Sequence, residues 1–161
     1  MKKLILVRHA KSSWKHHVVD HERPLNTRGF TDTDLVSKAF KSVGESIDLL
    51  ISSDAMRAKT TASIFIDNLN IDKNIVQLNH NLYDFSGNDL LKVVKNCTAN
   101  VNTLMVFGHN HAITWFVNAY GNDTIENVPT CGLSILEFDI DNWQDLKKGT
   151  TRMTIFPRDL K

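Results

Sequence analysis

The run Lys3-Leu4-Ile5-Leu6-Val7, followed at once by Arg8-His9, decides how this chain folds. A short continuous apolar run predicts a strand buried on both faces, the habit of parallel sheets. Working outward, a polar stretch over 10–29 follows, closed by Pro24 and Gly29, and its length for a loop suggests a functional segment. Leu35, Val36, Ala39, Phe40 and Val43 then repeat at helical spacing up to a stop at Gly44. Ile47–Ile51 predicts a second strand, and Ser52, Ser53 or Asp54 can cap the helix that buries Ala58, Ala62, Phe65, Ile66 and Leu69.

Ile75–Leu78 predicts a third strand, and Ser86 or Asn88 can cap a helix carrying Leu90, Leu91 and Val94. Thr103–Phe107 predicts a fourth strand ended by Gly108, followed by a helix over 112–120 stopped at Gly121. Two strands, 132–138 and 150–156, close the chain; they can pair antiparallel with each other or extend the sheet as a mixed edge. Alternating strands and helices predict an α/β fold, a mostly parallel sheet with helices on both faces.

Composition narrows the function classes. The 161 residues hold 19 Lys plus Arg against 18 Asp plus Glu, a net charge of +1, and are 42% apolar. That suits one domain over 1–161 with a real core. Balanced charge gives no basic stripe for nucleic acid, and no apolar run approaches a membrane span. Four apolar residues ended by Arg8 are too few for a secretion signal, so a cytoplasmic location is expected. Cys97 and Cys131 make no disulfide framework and read as buried small residues.

Seven His stand out. In open α/β sheets ligands bind beyond the carboxyl ends of the strands. Arg8 and His9 follow strand one; Arg57 lies in the first turn after strand two; Gly108, His109, Asn110 and His111 follow strand four. This collection is electropositive, with no evident acidic counterpart. Arg forks match phosphate oxygens, and two of them can balance a phosphoryl group without metal. A neutral imidazole beside such a pocket can attack phosphorus and carry the phosphoryl group. His9 is the expected nucleophile, with His109 donating to the phosphoryl oxygens.

The segments Leu6-Val7-Arg8-His9-Ala10, Ser52-Ser53-Asp54-Ala55-Met56-Arg57-Ala58 and Gly108-His109-Asn110 resemble the three motifs of the histidine phosphatase superfamily, in its order and spacing. Lys11-Ser12-Ser13-Trp14, Arg23-Pro24-Leu25-Asn26 with Arg28-Gly29, Leu82-Tyr83 and Pro129-Thr130-Cys131-Gly132 look like the small SixA-type phosphohistidine phosphatases. The resemblance implies a three-layer α/β/α sandwich with a mostly parallel mixed sheet, the phosphoglycerate mutase-like fold. It implies catalytic His9, Arg8, Arg57 and His109, with Arg8, Arg23, Arg57 and His109 binding substrate.

Three departures bear on mechanism. Ala10 stands where the wider family has Gly, and Asp54 where it often has Pro, a swap that a capping Asp can serve. The segment with which larger members help supply a Glu acid is short here; Asp84 falls near its place. An alkoxide leaving group needs such an acid, whereas a phosphoramidate nitrogen is readily protonated. The expected activity is therefore a metal-independent phosphatase with a phosphohistidine intermediate, acting on phosphohistidine of a carrier or phosphotransfer protein. The alternatives are a small-molecule phosphomonoesterase using the same site and a non-catalytic phosphate- or phosphoprotein-binding module. Phosphoglycerate mutase activity is not expected.

No cofactor is expected. His16, His17 and His21, with His109 and His111, invite a zinc reading, but no carboxylate or thiolate completes a familiar spacing. Trp14 can serve as a rim contact or as loop packing. With His among the poised groups, activity should depend on pH near neutrality.

Overall fold

The computed structural model covers residues 1–161 and contains one six-stranded sheet flanked by helices on both faces. In chain order the elements are β1 (Lys2–Arg8), α1 (Thr27–Val43), β2 (Leu49–Ser52), α2 (Met56–Leu69) and β3 (Val76–Leu78). They continue with α3 (Asn88–Lys95), β4 (Thr103–Gly108), α4 (Ala112–Tyr120), β5 (Leu133–Phe138) and β6 (Thr150–Ile155). The strand order is β3-β2-β4-β1-β5-β6. The first four strands run parallel, β5 pairs antiparallel with β1, and β6 pairs antiparallel with β5. Both expectations for the last two strands are thus met at once.

Period-two alternation along the central strands divides the core. Leu4 and Leu6 of β1, with Leu104 and Val106 of β4, pack beneath α3 and α4 against Val94, Ile113 and Phe116. Ile5 and Val7, with Met105 and Phe107, pack beneath α1 and α2 against Val36, Phe40 and Phe65. Each such fully buried side chain contributes roughly 1.5–3 kcal/mol relative to exposure. No helix is long and apolar enough to cross a membrane.

Three local expectations are corrected. α1 begins at Thr27, not beyond Gly29: Asn26 caps it, its side chain accepting from Gly29 N–H at 2.8 Å. Gly29 is required because a Cβ there would collide with the Lys11 carbonyl of the loop that doubles back over the helix start. α2 is not capped by Ser52, Ser53 or Asp54; its N-cap is Ala55, whose side chain has nothing to offer, and Ser53 Oγ accepts the Ala55 N–H one step earlier. α3 is capped by neither Ser86 nor Asn88. Asp84 reaches forward instead and accepts from the N–H groups of Gly87, Asp89 and Leu90 at 3.0–3.1 Å.

Sheet order sets the site. From β1 the chain crosses by α1 to β2 on one side, while from β4 it crosses by α4 to β5 on the other. A crevice therefore opens beyond the carboxyl ends of β1 and β4, the switch point where α/β sheets bind ligands.

Candidate active site

Backbone hydrogen bonds sew the three sequence segments together at that crevice. In the parallel register Arg8 lies opposite Gly108, and His9 N–H donates to the Gly108 carbonyl at 3.0 Å. Ser53 N–H donates to the Phe107 carbonyl at 2.9 Å, and the His9 carbonyl accepts from Cys131 N–H at 3.0 Å. Arg8, His9, Arg57 and His109 thereby line one pocket of about 600 Å³, together with Arg23 and Trp14.

His9 is buried, and its Nδ1 lies 2.8 Å from the Ala10 carbonyl. A carbonyl can only accept, so Nδ1 carries the proton and Nε2 keeps a lone pair. Burial lowers the ring pKa to about 3, helped by His109, Arg57 and Arg8 and opposed by the Ala10 bond. The His109 ring sits 5.2 Å from it, centroid to centroid, and is likewise lowered to about 3, by burial first and then Arg57. His109 Nε2 is 2.8 Å from Ser53 Oγ. Of the two partners of Ser53 Oγ, Ala55 N–H and His109 Nε2, only Nε2 can accept the hydroxyl proton, which leaves the His109 proton on Nδ1. Both rings are therefore neutral near pH 7 in the free protein.

The guanidiniums are held by part of their donor set only. Arg8 Nη1 donates to the Val128 carbonyl at 2.8 Å. Arg57 Nη1 and Nη2 donate to the carbonyl and carboxylate of Asp20 at 2.7 and 2.9 Å. Arg8 Nε, Arg57 Nε and His109 Nδ1 are buried and have no hydrogen-bond partner in the protein. Buried donors nearly always find partners, and leaving one unmade costs about 1–3 kcal/mol. The three side chains that carry these donors line the same pocket.

Arg23 differs. Its Nε donates to the Ser13 carbonyl, Nη1 to Asp20 and Nη2 to Ser12 Oγ, and Trp14 stacks on it with the guanidinium carbon 3.3 Å from the ring centroid. Three of its five N–H donors are thus engaged within the loop after β1. Trp14 is packed on one face and 77% exposed overall, so it serves both as loop packing and as pocket rim.

Asp20 overturns the expectation of an electropositive site without an acid. It sits in a 3-10 turn, Asp20–Glu22, and its carboxylate accepts from Arg23, Arg57 and the Tyr83 hydroxyl. Burial works against its ionisation, but those hydrogen bonds outweigh it and hold the carboxyl well below the usual range. The only hint in sequence was an acid three residues before Arg23. Asp84, by contrast, does not line the pocket. Although burial pushes its pKa up, Ser86, Leu90 and Gly87 hydrogen bonds prevail and keep it ionised, an acceptor for α3 and not a proton donor.

His111, His16 and His17 are not among the pocket residues. The zinc grouping of loop histidines is also redrawn: His21 meets Asp54 and His80, two residues absent from that reading, because the loop, the start of α2 and the end of β3 converge.

The model of the histidine phosphatase superfamily (branch 1) matches residues 4–86, just over half the chain. An uncharacterized chloroplastic protein of Arabidopsis thaliana is 28% identical over 155 residues, covering 89% of this chain and 70% of that one. The solved structure of the protein histidine phosphatase SixA complexed with tungstate has a TM-score of 0.79 at 19% identity, covering 99% of each chain. A mycobacterial glucosyl-3-phosphoglycerate phosphatase has a TM-score of 0.67 at 10% identity, over 98% of this chain and 99% of that one. Both share the three-layer fold seen here.

Proposed function

Because this chain belongs to the histidine phosphatase superfamily (branch 1), we propose that it is a phosphatase that carries the phosphoryl group on His9 and takes it from phosphohistidine on a protein. The observation that carries this reading is the convergence of Arg8, Arg57 and His109 with a neutral His9 on one pocket. Donors fixed before the reaction stabilise charge on the transferring group without reorganising.

His9 Nε2 attacks phosphorus in line with the leaving group. The new N–P bond forms as the bond to the leaving nitrogen breaks, and that nitrogen keeps the electron pair and is protonated. Arg8, Arg57 and His109 share the charge of the equatorial oxygens. Water then attacks the phosphohistidine, releasing phosphate and restoring neutral His9. The two arginines supply the positive charge that the transfer needs, so no metal enters either step.

The state of the acids supports this substrate class. Asp20 is ionised by its donors, and Asp84 is occupied at α3. Neither carboxyl holds a proton for an alkoxide, whereas a phosphoramidate nitrogen takes one readily. The deciding experiment compares turnover of a phosphohistidine-bearing carrier or phosphotransfer protein with a panel of phosphorylated metabolites, in the presence of EDTA. Faster turnover of the phosphohistidine protein, undiminished by EDTA, is expected. Equal or faster turnover of an unactivated sugar phosphate would make the protein a small-molecule phosphomonoesterase.

A further inference from the structure

Outside the phosphate pocket, one cluster of ligand-type side chains is drawn together from three places in the chain. His21 lies in the 3-10 turn of the loop after β1, Asp54 just before α2, and His80 just after β3. His21 Nε2 is 2.8 Å from Asp54 Oδ1, and His80 Nδ1 is 3.0 Å from each Asp54 oxygen. One donor atom from each residue falls within 4.8 Å of the others. Ligands placed about 2.1 Å from a common ion lie about 3.0–3.4 Å apart, so small adjustments of the side chains turn this cluster into a coordination shell.

Two further details fit. His21 Nδ1 is 3.4 Å from Glu22 Oε1, the arrangement in which a carboxylate orients an imidazole through its far nitrogen. The His80 side chain is 70% exposed, which leaves one side open for water to complete the shell. Two imidazoles and one carboxylate suit zinc-class ions, where magnesium and calcium prefer all-oxygen sites.

We propose that His21, Asp54 and His80 bind a divalent transition metal of the zinc class, which fastens the loop after β1 to the edge of the pocket. The ion takes the place of the imidazole protons that now bridge to Asp54, and those protons pass to solvent. Metal held by His21 also steadies its neighbour Asp20, whose carbonyl and carboxylate both hold Arg57. The site stands beside the phosphoryl chemistry and takes no part in it.

Titrating the full chain with Zn²⁺ by calorimetry, and with Co²⁺ by visible absorption, reads the site directly. One saturable equivalent with proton release is expected, together with slower amide exchange across residues 12–23. His80→Ala, at an exposed position, and Asp54→Asn should each weaken binding about tenfold or more. His80→Ala without metal should turn over substrate as the parent does. Absence of a saturable equivalent, or affinity untouched by both substitutions, overturns the site. Saturable binding that leaves exchange across 12–23 unchanged overturns the fastening.

Discussion

Asp20 holds Arg57 twice, its carbonyl 2.7 Å from Nη1 and its carboxylate 2.9 Å from Nη2. The same carboxylate accepts from Arg23 at 2.9 Å. A negative charge thus sits on the cations that line the pocket, and it takes one N–H from each terminal nitrogen of Arg57. The arrangement orders the arginines before substrate arrives, and it weakens their pull on an incoming dianion.

Asp20→Asn keeps an oxygen for the guanidiniums and removes the charge. Tungstate or phosphate should then inhibit more strongly, by about fivefold, since screening at this half-exposed carboxylate limits its effect to roughly 1 kcal/mol. Inhibition constants on the two proteins measure this. Weaker inhibition of the variant would mean that positioning of Arg57 outweighs repulsion.

The buried histidines predict an acid-sensitive fold. In the unfolded chain His9 and His109 titrate near 6.5, whereas in the folded protein burial lowers both to about 3. Between those values the unfolded chain binds protons that the folded one does not, so stability falls as pH drops through that window. Each ring contributes at most about 1.4 kcal/mol per pH unit. Urea unfolding between pH 6.5 and 5 should show a shallower loss for His109→Asn than for the parent. Parallel losses would contradict the burial account.

Asp84 should matter to folding and little to chemistry. Its carboxylate accepts from the N–H groups of Ser86, Gly87, Asp89 and Leu90 and from the Ser86 hydroxyl. Asp84→Ala removes a helix cap and should cost about 1–2 kcal/mol in denaturant unfolding. Its kcat should stay within about threefold of the parent, against the 10²-fold or greater loss typical of a removed general acid. A large fall in kcat with unchanged stability would restore Asp84 as the acid.

Much of the architecture was legible because β1 and β4 are unbroken apolar runs, which only a doubly covered sheet accommodates. Arg8, His9 and His109 could be placed from the same runs, since each directly follows or ends a strand. Gly29 misled: it reads as a loop residue, yet it serves a close approach of the Lys11 carbonyl inside the first turn of α1. Asp20 was hidden for another reason. Its partner Arg57 is 37 positions away, and only the folded path of an irregular loop brings them together. The meeting of His21, Asp54 and His80 was hidden in the same way, because strand order and not spacing brings them into contact.

The most direct test of the account is to quench turnover of a ³²P-labelled phosphohistidine protein and locate the label on this chain. Acid-labile, base-stable label on His9, absent from His9→Ala along with turnover, is the predicted result. Wild-type turnover by His9→Ala, or label on another residue, would contradict it.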